Sequence, residues 1–111
     1  MKCLLKRTQE VLADEVEVAD TFFTRLKGLM FRRGLAEGKA LLLDPCPQIH
    51  TCFMRFNIDV VFLDSAGLTV AVLEQVKPWR MSKFYKACRA LELPGGSLQG
   101  RVQPGDTLIF N

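Results

Sequence analysis

Two cysteines and the only histidine stand in one short run, Cys46-Pro47-Gln48-Ile49-His50-Thr51-Cys52. Thiolate and imidazole are the ligands zinc favours, at about 2.0–2.3 Å. Cys46, His50 and Cys52 are therefore candidate metal ligands, although their spacing is not that of a zinc knuckle and Asp44, Asp59, Cys88 or water would have to complete the shell. A hydrogen-bonded histidine beside buried cysteines explains the same run without a metal, since cysteine is among the most buried residue types. Zinc is thus the one cofactor the residue types admit, and none is required. The run can also be read as a Cys–His nucleophile, which needs an imidazole within hydrogen-bond reach of a thiolate and an orienting group such as Asp59 or Asp64. Residues at i and i+2 of a strand share a face but lie about 6–7 Å apart. His50 would then activate Cys46 or Cys88 from a neighbouring strand more easily than Cys52.

Further polar and aromatic groups follow. Asp59 lies between Ile58 and Val60, where a carboxylate must be exposed or paired, and Arg55 or Arg25 is the expected partner. Asp64 suits backbone donors of the turn Ser65-Ala66-Gly67. Asp59 and Asp64, five residues apart along one strand, face opposite sides, which argues against paired-carboxylate hydrolysis. Trp79 beside Pro78 is either ordinary core packing or a ring folded over a pocket rim. A pocket built from His50, Arg55, Asp59, Trp79 and Tyr85 would suit a small polar ligand or a protein partner.

The elements that must position these groups are mostly short strands. Lys2 to Arg7 and Val11 to Val18 show partial alternation and suggest a hairpin turning near Thr8-Gln9. Phe22, Leu26, Leu29 and Met30 fall at i, i+4, i+7 and i+8 behind a capping Asp20 or Thr21, which predicts one main helix at about residues 21–33. Arg25, Lys27, Arg32 and Arg33 on it read as a solvated, dipole-complementing face or as anion-steering groups. Lys39 to Leu43, Ile49 to Met54, Ile58 to Leu63, Leu68 to Val76, Ala87 to Leu93 and Thr107 to Phe110 read as strands, and Ser97 to Arg101 as one helical turn. The Ile58 to Leu63 hairpin is apolar on both faces and should be covered on both. The expected fold is mainly β (α+β), a small antiparallel β-barrel or strongly curled sheet of about seven or eight short strands with the helix packed on it.

The 111 residues suit a single domain, residues 1–111. At 49% hydrophobic and 24% charged the chain has a globular balance. A formal charge of +3, spread along the chain, argues neither for nucleic acid nor for an acidic membrane surface. The N-terminus is too short for a secretory signal and no run approaches a membrane span. A cytoplasmic protein with free thiols is expected, unless a targeting segment has been removed.

Taken together, Arg25-x-x-Gly28-Leu29-Met30-Phe31-Arg32, the run Phe53 to Asp64 with Gly67, Val76-x-Pro78-Trp79 and Ala90-Leu91-Glu92-Leu93-Pro94-Gly95-Gly96 resemble the prokaryotic family called domain of unknown function 192. The resemblance covers nearly the whole chain and implies a compact, mostly β domain with no assigned activity. Many members carry Phe-Trp-Met-Lys-Asn-Thr in the segment around Phe53; here Phe53 replaces the tryptophan and Arg55 the lysine. Two functions are therefore expected: a non-catalytic module binding a small polar ligand or protein near His50, Arg55 and Trp79, or a metal-assisted or thiol-dependent enzyme centred on Cys46, His50 and Cys52.

Overall fold

A computed structural model describes residues 1–111. In chain order the elements are β1 (Cys3–Leu5), β2 (Val11–Ala13), β3 (Glu15–Ala19), α1 (Phe22–Lys27), β4 (Lys39–Leu43), β5 (Ile58–Leu63), β6 (Thr69–Val76), β7 (Arg89–Pro94) and β8 (Leu108–Phe110). They form a three-stranded sheet ordered β2-β1-β8 and a five-stranded sheet ordered β3-β4-β7-β5-β6. The sheets do not close into a barrel: β3 and β6 remain the edges of the larger one. Nor is the pairing wholly antiparallel, because β3 and β4 run parallel, joined through α1. A parallel neighbour needs a crossover long enough to hold a helix, and the segment between Ala19 and Lys39 supplies it.

The larger sheet is apolar on both faces, so β5 reads as an unbroken buried run. Leu42, Val61, Leu63, Leu91 and Leu93 face the smaller sheet and pack with Cys3, Leu5, Leu98 and Leu108. Leu41, Leu43, Ile58, Val60 and Phe62 face the other way, towards Leu29, Cys46, Ile49 and Met54. The hairpin between β5 and β6 turns as expected, with Asp64 Oδ1 accepting from the backbone amides of Ala66 and Leu68 at 2.9 Å each and Gly67 at φ 89°.

Two expected elements differ. The helix ends at Lys27, because Gly28 adopts φ 46° and caps it, its N–H donating to the Thr24 carbonyl. Thr21 and Thr24 close a capping box at the other end, yet the short helix buries none of its own residues. Leu29 is buried beyond the helix, whereas Phe22 and Leu26 stand exposed. The segment Ile49 to Met54 forms no strand beyond an isolated bridge from His50 to Met81. Its backbone groups are taken up by the loop after β6 instead: Thr51 N–H donates to the Arg80 carbonyl at 2.8 Å, and Trp79 N–H to the Thr51 carbonyl at 3.0 Å. A buried threonine hydroxyl competing for backbone partners is what diverts this stretch from a ladder. The expected helical turn at Ser97 to Arg101 is a single hydrogen-bonded turn, Arg101 N–H donating to the Leu98 carbonyl at 2.9 Å, without regular helix. No helix is long and apolar enough to cross a membrane.

Candidate functional site

Two loops, 45–57 and 77–88, are laced together over the second face of the larger sheet. Thr51 is the central stitch. It is fully buried; its hydroxyl donates to the Lys77 carbonyl at 2.6 Å and accepts from Arg80 N–H at 2.8 Å. Ser82 adds a second tie, its Oγ accepting from Ile49 N–H at 3.0 Å while its own N–H donates to the Ile49 carbonyl at 2.9 Å. Tyr85 N–H donates to the Pro47 carbonyl at 2.9 Å.

This lacing sets out a row of exposed rings. Phe53 packs against Trp79 with centroids 4.6 Å apart and against Phe31 at 5.4 Å, and Phe31 N–H donates to the Phe53 carbonyl at 3.0 Å. The three rings remain 59%, 47% and 59% exposed for Phe31, Phe53 and Trp79, so they are not core. All three residues hold left-handed backbone, at φ 65°, 61° and 64°. A bulky residue in that region costs about 1–3 kcal/mol and persists only where surrounding structure enforces it, a pattern concentrated at functional sites.

Beside this row, between α1 and loop 45–57, lies a cavity of about 40 Å³. Gly28, Cys46, His50 and Met54 line it, and Glu92 of β7 also reaches it. By the volume one water occupies, it holds about two or three waters and no metabolite. Glu92 is 3% exposed, and its Oε1 has no hydrogen-bond partner. Burial raises its pKa from 4.5 to about 8, opposed by the charge of Arg32. Its carboxyl is therefore mostly protonated at neutral pH.

The expected site residues divide. Cys46 and His50 meet on the cavity. The Cys46 thiol donates to the Gln48 carbonyl at 3.0 Å, and burial pushes its pKa up to about 11. His50 Nδ1 accepts from Cys52 N–H at 3.2 Å, which assigns the neutral ring's proton to Nε2 and presents a donor there instead of a metal-binding lone pair. No three His, Cys, Asp or Glu side chains are grouped to hold a metal. Arg55 is exposed, and Tyr85 is half-buried, its ring packing on the buried Phe62 at 4.5 Å between centroids.

Asp59 lies apart from the cavity, and its expected arginine partner is corrected. Fully buried, it accepts from the backbone amides of Gln75 at 2.9 Å, Gly96 at 3.2 Å and Leu98 at 2.9 Å. Three N–H donors satisfy a buried carboxylate as well as a guanidinium would.

Sequence reasoning missed Glu92, Phe31 and Thr51 as parts of this region. For Glu92 the signal was present: an acid alternating with Leu91 and Leu93 in a strand buried on both faces must point into the opposite core.

With this geometry goes membership of a family. The chain belongs to the domain of unknown function 192 family, described as "Uncharacterized ACR", whose model matches residues 4–110. It is similar to the UPF0127 protein PF1050 of Pyrococcus furiosus, with 37% identity over 109 residues covering 87% of each chain. A UPF0127 protein of Thermococcus sibiricus is 37% identical over 82 residues, 69% of this chain; the match spans about half, 53%, of that relative's length. A proposed transcription regulator from Sinorhizobium meliloti shares the fold with TM-score 0.80 and 25% identity, over 97% of this chain and 89% of that one.

Proposed function

We propose that this chain is a non-catalytic binding module whose working surface is the end built from α1 and loops 45–57 and 77–88. The observation that carries the reading is the row Phe31–Phe53–Trp79: three contiguous exposed rings, each on left-handed backbone. Solvent-exposed rings in strained backbone favour recognition over packing. The neighbouring cavity of about 40 Å³ is too small for an organic ligand and the depression of about 220 Å³ next to it is open, so a macromolecular surface suits better than a small polar molecule, and His50, Arg55 and Trp79 would contribute from its rim. A photo-crosslinking amino acid at Phe31 or Trp79, with Val11 as control, tests this in cells. Adducts to protein, lipid or nucleic acid from the two ring positions alone are expected; none, or equal adducts from Val11, would overturn the reading.

One observation favours chemistry instead, namely Glu92, an unpartnered buried acid beside Cys46 and His50, since strongly shifted groups in clefts mark active sites. The thiol-dependent or metal-assisted alternative rests on that placement. Stoichiometric zinc in tag-free protein, lost in His50→Ala, would favour it over the binding module.

A further inference from the structure

The charges of this chain are segregated by the fold. Residues 21–36, 45–58 and 75–88 contain nine of the fifteen Lys and Arg and none of the twelve Asp and Glu. These segments therefore carry +9, and the rest of the chain, with six basic and twelve acidic residues, carries −6, which together give the formal +3. The three segments are neighbours in space: Phe31 bonds and stacks on Phe53, Phe53 on Trp79, His50 bridges to Met81, and Phe22 and Leu26 border His50. Only Arg32 of the nine is in an ion pair, with Glu17 at 2.8 Å. On the remainder of the surface Arg7, Lys39 and Arg101 all pair with acids.

The same end holds most of the exposed large apolar side chains. Phe22, Phe23, Leu26, Phe31, Phe53, Trp79, Met81 and Phe84 are all there, with Phe23 at 77% and Phe84 at 72% exposure. Basic residues interleave with them, as in Phe23-Thr24-Arg25-Leu26-Lys27, Trp79-Arg80-Met81 and Lys83-Phe84-Tyr85-Lys86.

We propose that this end docks on an anionic lipid bilayer, its aromatic and aliphatic tips entering the headgroup region while the surrounding lysines and arginines meet lipid phosphates. The proposal rests on the binding-module reading above and names the partner. Apolar tips interleaved with Lys and Arg are the composition of surfaces that lie in a membrane interface. Protein interfaces favour Arg but are depleted in Lys, whereas Lys27, Lys77, Lys83 and Lys86 are four of the nine cations here. A peptide ligand needs an enclosing groove, and this end offers only the water-sized cavity and, beside it, an open depression of about 220 Å³ bordered by Phe22, Leu26 and His50. Separate tips on a helix and two loops require no matched relief from a fluid bilayer.

Trp79 is the only tryptophan, so its emission reports docking without a label. Phosphatidylcholine vesicles with and without phosphatidylglycerol are titrated into the full chain and also used in flotation. The expected result is a blue shift and co-flotation with the anionic vesicles only, weakened as NaCl rises from about 0.05 M to about 0.5 M. Phe23→Ser with Phe84→Ser removes two exposed rings that make no core contact and should weaken binding about tenfold or more while leaving the unfolding midpoint in place. Lys83→Glu with Lys86→Glu should abolish the preference for anionic lipid. No flotation, or equal binding by the Phe variant, overturns the proposal. So does binding to polyglutamate or a single-stranded oligonucleotide with no binding to vesicles, which would assign an acidic protein or a nucleic acid. In those two cases crosslinks from Phe31 and Trp79 would still uphold the binding module; their absence would remove both.

Discussion

Gly28 stands over Glu92: a Cβ on the glycine would lie 3.8 Å from the carboxyl Oε1, and the glycine's φ of 46° is what turns the chain away from the helix at that point. The acid is thus roofed by backbone that cannot carry a charged partner for it, while Leu29 and Met54 sit beside the same cavity. Desolvation, only partly offset by the charge of Arg32, favours the neutral acid.

Glu92 should accordingly make the protein less stable as pH rises. Its folded pKa, about 8, lies above the ordinary 4.5, so the folded chain holds a proton that the unfolded chain has released between those values. The stabilisation is complete below about pH 4.5, declines through the window and is gone above about pH 8. The decline should be on the order of 5 kcal/mol at most, the ceiling set by the size of the shift. Urea unfolding of wild type and Glu92→Gln at pH 5 and pH 8.5 checks it. The wild type should lose stability between these conditions and the variant should lose much less; parallel losses would mean that Glu92 is solvated.

Thr51 should prove a larger determinant of stability than its size suggests. Thr51→Val keeps the shape but strands the Lys77 carbonyl and the Arg80 amide, which the hydroxyl satisfies at 2.6 and 2.8 Å. Leaving part-buried groups unpaired costs up to about 1–3 kcal/mol each, less where water reaches them, so a loss of roughly 1–3 kcal/mol is expected, with Thr51→Ser close to wild type. Because the same hydroxyl anchors the loop carrying Trp79, its emission should shift in the valine variant even in the folded state. A loss below about 1 kcal/mol would sink the idea that this residue holds the loops together.

Much of the fold was legible in the residues themselves. The β5–β6 hairpin announced itself through Asp64-Ser65-Ala66-Gly67, and the doubly buried character of β5 through the apolar run Val60 to Leu63. The length of α1 was not, because Gly28 sits inside a helical apolar repeat and its terminating role depends on φ, which spacing does not reveal. Ile49 to Met54 misled for a similar reason: side-chain alternation there matches a strand, but the backbone partners come from the 77–82 loop, a long-range choice. The basic end was hidden by averaging. Its nine cations are dispersed along the chain and gather only when three separate segments meet.

Asp59→Ala should be among the most damaging single changes. It removes the acceptor for three backbone amides, those of Gln75, Gly96 and Leu98, two of which hold the chain after β7. A loss of about 3 kcal/mol or more is expected in denaturant unfolding, because such donors are left buried. Arg25→Ala and Arg55→Ala should leave stability within about 0.5 kcal/mol, since neither arginine touches Asp59 and Arg55 is exposed. A matching loss in Arg55→Ala would restore the ion pair that the sequence suggested.

The four thiols should separate by burial. Cys88 is exposed and Cys52 half-buried, whereas Cys3 and Cys46 are buried. Desolvation pushes the Cys3 pKa up to about 12, against a small opposing effect of Arg89, and that of Cys46 to about 11. Since the thiolate is the attacking form, neither buried sulfur should react with a thiol reagent near pH 7. Two equivalents are expected in the folded protein, Cys88 faster than Cys52, and four after unfolding in guanidinium. Cys88→Ser should remove the fast phase. If Cys46 were instead labelled rapidly in the native state, with a rate that collapses in His50→Ala, the imidazole would be activating it, and the catalytic reading would displace the binding one.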